Sequence, residues 1–169
     1  MTRLQQRELT NSKEVIDSVF DLLVLSYVYG NRAANLDLDS DYAIDRERLA
    51  DAVYKKIDGK DFSDRIREYM STGELTDEAF EEIKRVIETD SHRCYNEGMF
   101  EVAETSGASK TWVTMLDDKV RESHDLLQGV TVPWNERFYT ALGSALYPGG
   151  FGVPEEDVNC RCEIVLSKD

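Results

Sequence analysis

Residues 111–124, TWVTMLDDKVRESH, mark the point where the chain changes character. Thr111 to Met115 is rich in β-branched and aromatic residues and follows a break at Ser106-Gly107, so it reads as a strand. Val130 to Pro133 reads as a second, short strand, and Cys160 to Leu166 as a third. In that third strand alternation puts Cys162, Ile164 and Leu166 on one face, against the strand that carries Val113 and Met115. A small antiparallel sheet is the simplest arrangement. Between the last two strands lies 147–154, YPGGFGVP, with two Pro and three Gly, which reads as an irregular loop excluding any regular element.

Upstream of the break the spacing is helical. Val15, Ile16, Val19, Phe20, Leu22, Leu23 and Tyr27 fall on adjoining faces, predicting a buried helix from a cap at Ser12 to Tyr29, stopped by Gly30-Asn31. The polar stretch through Asp41 reads as a loop from which Leu36 and Leu38 tuck inward. Leu49, Val53 and Ile57 mark a short second helix between an Asp45 cap and a Gly59 stop. Phe62, Ile66, Tyr69 and Met70 mark a third, stopped near Gly73. Thr76, with Asp77 and Glu78 after it, caps a fourth and longest helix that runs to about Ala103 despite Gly98, with Phe80, Ile83, Ile87 and Cys94 along one side. The fold class is therefore α+β: a helical region over residues 1–103, then a small antiparallel β module over 104–169.

Composition narrows the function. The chain has 169 residues, 41% of them hydrophobic, enough for an ordinary core. Its longest strictly apolar run near the N-terminus, Leu22 to Leu25, is far too short to span a bilayer, so no membrane partner is expected. The start MTRLQQREL lacks the apolar stretch of a secretory signal, which points to the cytoplasm and to reduced cysteines. Twenty basic against 34 acidic residues give a net charge of −14, and a field of that sign disfavours direct DNA binding. The three cysteines, Cys94, Cys160 and Cys162, make a poor disulfide framework.

In the second half, specific residues recur in a set order. Trp112 and Thr114 form W-x-T; Asp117, Asp118, Arg121 and His124 form D-D-x-x-R-x-x-H; Gly129, Val132 and Pro133 form G-x-x-V-P; Asn159, Cys160, Arg161 and Cys162 form N-C-R-C. This ordered set resembles the Mu protein F family of phage head morphogenesis proteins. Upstream, Glu88, Thr89, Asp90, His92, Arg93, Asn96 and Gly98 resemble the helix that precedes the family's C-terminal module. The resemblance covers roughly residues 80–166. From Asp58-Gly59-Lys60 through Phe62 and Arg65 to Tyr69 the match, to members from Gram-positive bacteria and their prophages, is looser. The resemblance implies a low-copy, structural minor head protein in the virion interior, made and assembled in the host cytoplasm. It would sit at the portal vertex, with the portal protein and the major capsid or scaffold protein as partners, and would serve head assembly and DNA packaging or ejection. No enzymatic activity follows from it, and no fused enzyme is expected within these residues.

The same residues admit other uses. On a short helix Asp118 and Arg121 are neighbours, and Asp118, Arg121 and Asn159 are expected to form a polar clasp between that helix and the turn before the last strand. Asp117 or Asp118 would cap the helix, and His124 would be a hydrogen-bonded residue at the core edge. No cofactor is expected. Were a metal-stabilised module the answer, zinc would draw on Cys160, Cys162 and His124, with His92 or Asp117 as a fourth ligand, although C-x-C is less typical of zinc than C-x-x-C. A cysteine hydrolase would use Cys160 or Cys162 as nucleophile, His124 as base and Asp117 or Asp118 as orienter, but neither cysteine follows a helix start or a glycine-rich elbow. Trp112 and Trp134 read as core or rim aromatics. The loop flanked by Tyr147 and Phe151 is either a partner-contact loop or a loop packed on its own domain.

Overall fold

The computed structural model describes residues 11–72 and 75–168; the MTRLQQREL start and the expected stop at Gly73 lie outside them. Helix α1 (Ser12–Asp37) opens on Asn11, whose side chain accepts from the Lys13 amide, so the cap sits one residue before the expected Ser12. It does not stop at Gly30. Val19, Leu23, Tyr27, Gly30 and Ala34 continue a single buried stripe to Leu38. Gly30 is a packing residue: a Cβ there would collide with the Tyr95 carbonyl of helix α4 (Asp77–Ser106), and a Cβ at Gly98 would collide with the Tyr27 carbonyl of α1. Two glycines facing each other's helix let the two longest elements cross backbone to backbone. Leu38 is buried as expected, whereas Leu36 is exposed.

Helix α2 (Arg46–Val53) has the expected Asp45 cap but ends before Ile57. Asp58 and Gly59 both take positive φ and form a tight turn bridging Ile57 to Lys60, so Gly59 serves a turn and not a helix stop. Helix α3 (Phe62–Tyr69) is capped by Asp61. Helix α4 is capped by the Thr76 hydroxyl and closed by Gly107 at φ 74, so that it ends at Ser106, three residues beyond Ala103. Phe80, expected on the buried side of α4, is exposed, while Ile83, Val86 and Cys94 pack against α1, α2 and α3. Among the described residues, no helix is long and apolar enough to cross a membrane.

After α4 come two small antiparallel sheets. The first has the order β2 (Thr131–Val132), β1 (Ser109–Val113), β5 (Glu163–Ser167), with Trp112 opposite Ile164. Strand β1 begins two residues earlier than read from the sequence and excludes Met115. Ser109 and Lys110 look too polar for a strand, yet Lys110 is 0% exposed: its ammonium donates to Leu146 O at 2.7 Å and lies over the Phe100 and Phe138 rings. Leu116, at φ 54, turns the chain out of the strand and leaves Met115 exposed. β3 (Phe138–Thr140) and β4 (Gly143–Ala145) form a second, two-stranded sheet that the sequence reading did not anticipate. α5 (Glu122–Asp125) and α6 (Pro154–Asp157) are single turns. Pro154, assigned from sequence to the irregular loop, is the first residue of α6, where its missing N–H costs nothing. Cys162, Ile164 and Leu166 do share the buried face, in one core with Ala34, Phe100 and Trp112.

The α1–α4 crossing yields a measurable expectation. Gly98→Ala should lower stability by about 1–3 kcal/mol through overpacking, seen as a fall of roughly 2–4 °C in Tm per kcal/mol for a chain of this size. An unchanged melting curve would show that the backbones are not in contact there.

Candidate functional site

The last turn before β5 docks onto α4 through polar contacts that use most of the helix residues singled out from the sequence. The Cys162 carbonyl accepts from Asn96 Nδ2 at 2.9 Å and from His92 Nε2 at 2.5 Å, filling both lone pairs. Asn96 Oδ1 accepts the Ile164 amide at 3.1 Å, so one carboxamide brackets the start of the strand. The Thr89 hydroxyl accepts from the Asn159 amide at 3.2 Å. Asn159 itself is at φ 57, a left-handed turn that an asparagine tolerates. Burial holds His92 below its ordinary pKa despite its bond to Cys162, so the ring is neutral and Nε2 carries the proton it donates.

One turn earlier on α4, Asp90 and Arg93 are both fully buried and paired at 2.9 Å. Arg65 closes on the other Asp90 oxygen at 2.7 Å, and Arg93 also donates to Ala52 O at 2.5 Å, tying α3 and the end of α2 to α4. The Tyr147 to Gly152 loop lies over this pair, with Gly149 against Arg93. Tyr147 is buried, bonded to Lys55 Nζ at 2.5 Å and set against Phe100. Phe151 stacks on His124, and the Asp157 carboxylate takes the Phe151 and Gly152 amides. The loop is thus packed on its own domain, with Tyr147 buried and Phe151 half-buried.

Strand β5 and α5 bring His124, Cys160 and Cys162 together. His124 is 1% exposed, Cys160 5% and Cys162 3%, and both sulfurs lie 3.6 Å from His124 Nδ1. The extended Cys160–Cys162 segment points both thiols the same way because they are two residues apart. On the far side of the ring, His124 Nε2 lies 2.9 Å from Glu156, whose carboxylate also accepts from Ser123 at 2.9 Å. Burial pushes Glu156 up, but hydrogen bonds from Thr140 and Ser123 and the charge of Arg121 help hold it below its ordinary pKa. Trp112 meets His124 edge-on at 5.2 Å, sealing the ring in an aromatic box with Phe151. Glu156 was missed in the sequence; the middle one of three consecutive acids, Glu155 to Asp157, in a loop-rich stretch carries no signal of its burial.

The thiols are poised unequally. A hydrogen bond to Cys162, reinforced by burial, raises the Cys160 thiol; the same bond, helped by the Trp112 indole, Arg121 and Arg161, holds Cys162 below the usual thiol value despite burial. Histidine, thiol and carboxylate are the types a hydrolase needs, but both sulfurs are buried; a cavity of about 10 Å³ beside them has room for one water, and Cys160 also borders the wide surface groove between His92, Arg121 and Arg161. Neither Asp117 nor Asp118 orients His124; Glu156 holds that position.

Arg121 does clasp the turn before β5, though not through an ion pair with Asp118. It donates to the carbonyls of Glu156 and of Val158, the latter at 2.6 Å, flanking Asn159. The expected helix over 118–124 is shorter: Asp117 accepts the Lys119 amide in a turn and α5 starts only at Glu122, so Asp118 stands exposed and away from Arg121. Asp117 instead forms a two-pronged ion pair with Arg161 at 2.7 and 2.8 Å, and His92 is committed to the Cys162 carbonyl, so neither joins the His124 cluster.

A long helix bracketing a Cys-x-Cys turn, a buried histidine behind it and a three-stranded sheet over both define a small α+β module. Over residues 46–165 the chain matches the family described as Phage Mu protein F like protein, and it belongs to that family. The match begins at the first residue of α2 and reaches β5. The chain is 31% identical over 88 residues to the minor head protein GP7 of Bacillus phage SPP1, covering 48% of this chain and 28% of that protein. It is 27% identical over 139 residues to the NAD(+)--arginine ADP-ribosyltransferase EFV of Enterococcus faecalis (strain ATCC 700802 / V583), covering 70% of this chain and 28% of that one. It therefore spans little more than a quarter of either relative. No solved structure matches.

The clasp separates two neighbouring motif residues. Arg121→Lys offers no fork to reach both carbonyls and should cost about 1–3 kcal/mol by stranding one of them. Asp118→Ala should change stability by less than about 0.5 kcal/mol. Thermal melts of the two variants check this; equal losses would contradict the geometry.

Proposed function

We propose that the chain acts as a structural minor head protein in phage head morphogenesis, inside the capsid at the portal vertex. Its partners are the portal protein and the major capsid or scaffold protein, and its work bears on DNA packaging or ejection. The observation that carries this reading is the family match, which spans α2 to α4 and the β module together and includes every motif that docks α4 onto the 159–162 turn. The similarity to a protein named as a minor head protein supports it. The burial of the cluster supports a structural over a catalytic role: His124, Cys160 and Cys162 face one another and none is more than 5% exposed. The segment shared with the ADP-ribosyltransferase is read as this same module, carried in a longer protein.

The test is to delete the gene from its phage or prophage and to analyse proheads and virions from the undeleted strain by quantitative mass spectrometry. The protein is expected in both particles at far fewer copies than the major capsid protein, and the deletion should yield defective heads or particles that fail to deliver DNA. Its absence from both particles would refute the proposal. Given the net charge of −14, the purified chain should not retard duplex DNA below about 1 μM at physiological salt.

A further inference from the structure

The His124, Cys160 and Cys162 side chains have more structure around them than a core histidine beside two thiols requires. Their three ligand atoms lie within 4.8 Å of one another, and both sulfurs are 3.6 Å from Nδ1. Zinc–sulfur bonds of about 2.3 Å and zinc–nitrogen bonds of about 2.0–2.1 Å at tetrahedral angles give a sulfur–nitrogen edge of roughly 3.6 Å. We propose that this cluster is a zinc site, with Cys160 Sγ, Cys162 Sγ and His124 Nδ1 as ligands and one water in the fourth position.

Four observations converge on it. First, Nδ1 has a single lone pair but faces two sulfurs at equal distance. Only one thiol can bond to it, whereas a cation on the common side satisfies all three. Second, Glu156 lies 2.9 Å from Nε2, on the side of the ring opposite the sulfurs, though the two are not aligned as a hydrogen bond. A carboxylate behind a ligating imidazole is how metal-bound histidines are oriented. Third, the buried indole N–H of Trp112, whose ring packs edge-on against His124, has no hydrogen-bond partner. A metal-bound thiolate is a proper acceptor for that donor; a thiol is a weak one. Fourth, the cavity of about 10 Å³ beside the sulfurs, bordered by Arg121, Asn159 and Met115, has room for one water.

The ligand chemistry selects the metal. Two thiolates and an imidazole in a closed pocket suit zinc and exclude magnesium and calcium, which require oxygen ligands. Binding releases the thiol protons to solvent, and the product of one dication and two thiolates is a neutral core, tolerable in so buried a place. Asp117 and His92 are committed elsewhere, so the fourth ligand is not a side chain from the sequence-derived set. The ion would pin α5 to the turn before β5, the same junction that Arg121 clasps from outside.

The test uses the full chain, purified under reducing conditions and loaded with zinc or cobalt(II) chloride. One metal per chain should survive gel filtration, and the cobalt form should show thiolate-to-metal charge transfer with tetrahedral d–d bands. Cys160→Ser with Cys162→Ser should abolish both signals, and Cys94→Ser should leave them intact. Glu156→Gln should weaken binding by about 10–100-fold while preserving the cobalt spectrum. A folded wild-type chain that retains no metal, a cobalt spectrum without charge transfer, or stoichiometric binding by the double serine variant would each overturn the site. Should the double variant fail to fold, the wild-type cobalt spectrum decides alone.

Discussion

The junction of helix α4 with the start of β5 is held by a single peptide unit. The Cys162 carbonyl has no strand partner where the chain enters the sheet, and in so buried a place an unpaired carbonyl costs about 1–3 kcal/mol. Asn96 and His92 both donate to it, and Asn96 returns its own oxygen to the Ile164 amide. This fixes the register with which β5 meets β1, Ile164 opposite Trp112, and so decides which side of the strand is buried. A slip of one residue would turn Ile164 and Leu166 outward and carry both cysteines away from His124.

That junction needs α4 to be rigid and correctly placed, and two features supply this. Against α1 the glycines at 30 and 98 allow a crossing so close that neither helix can slide without meeting a carbonyl. Against α2 and α3 the Asp90–Arg93 pair does the work with charges. Burying that pair is costly, and ion pairs of this kind often stabilise no better than apolar replacements. What they add is direction: Asp90 takes one oxygen to Arg93 and the other to Arg65, while Arg93 reaches the Ala52 carbonyl at the end of α2. A second buried acid, Glu101, works likewise, accepting from Tyr27 and Asn31 of α1 and from the Asp45 amide that opens α2. Asp90, His92, Arg93, Asn96 and Glu101 along α4 thus specify how three other helices and one strand attach to it.

Much of this was legible in the sequence where a residue's role is local. Asp45, Thr76 and Gly107 cap or end helices by bonding to their own neighbours, and they read correctly. The alternation of Cys162, Ile164 and Leu166 gave the buried face of the last strand for the same reason. Long-range roles were not legible. Lys110 belongs to a strand because Phe100, Phe138 and the Leu146 carbonyl receive its ammonium, and none of these is near it in sequence. Asp117 and Asp118 are adjacent and alike, but only Asp117 lies where Arg161 can reach it. Glu156 became the partner of His124 through a loop whose path no periodicity encodes.

Gly30 marks the boundary between these two cases, since its misreading was avoidable. A glycine followed by asparagine after a strong amphipathic run carries the composition of a helix stop. The spacing tells otherwise: Val19, Leu23, Tyr27, Gly30, Ala34 and Leu38 advance by three or four residues throughout, so the apolar stripe passes through the glycine and ends only at Leu38. A true stop would have broken that rhythm. The same criterion rescues Gly98, which interrupts α4 between Cys94 and Val102 without disturbing the buried face. Two glycines that each lie inside an unbroken stripe, on the two longest helices of a chain, have a shared explanation in the close approach of those helices. That approach is what puts Asn96, two residues before Gly98, at the depth where it meets the incoming strand.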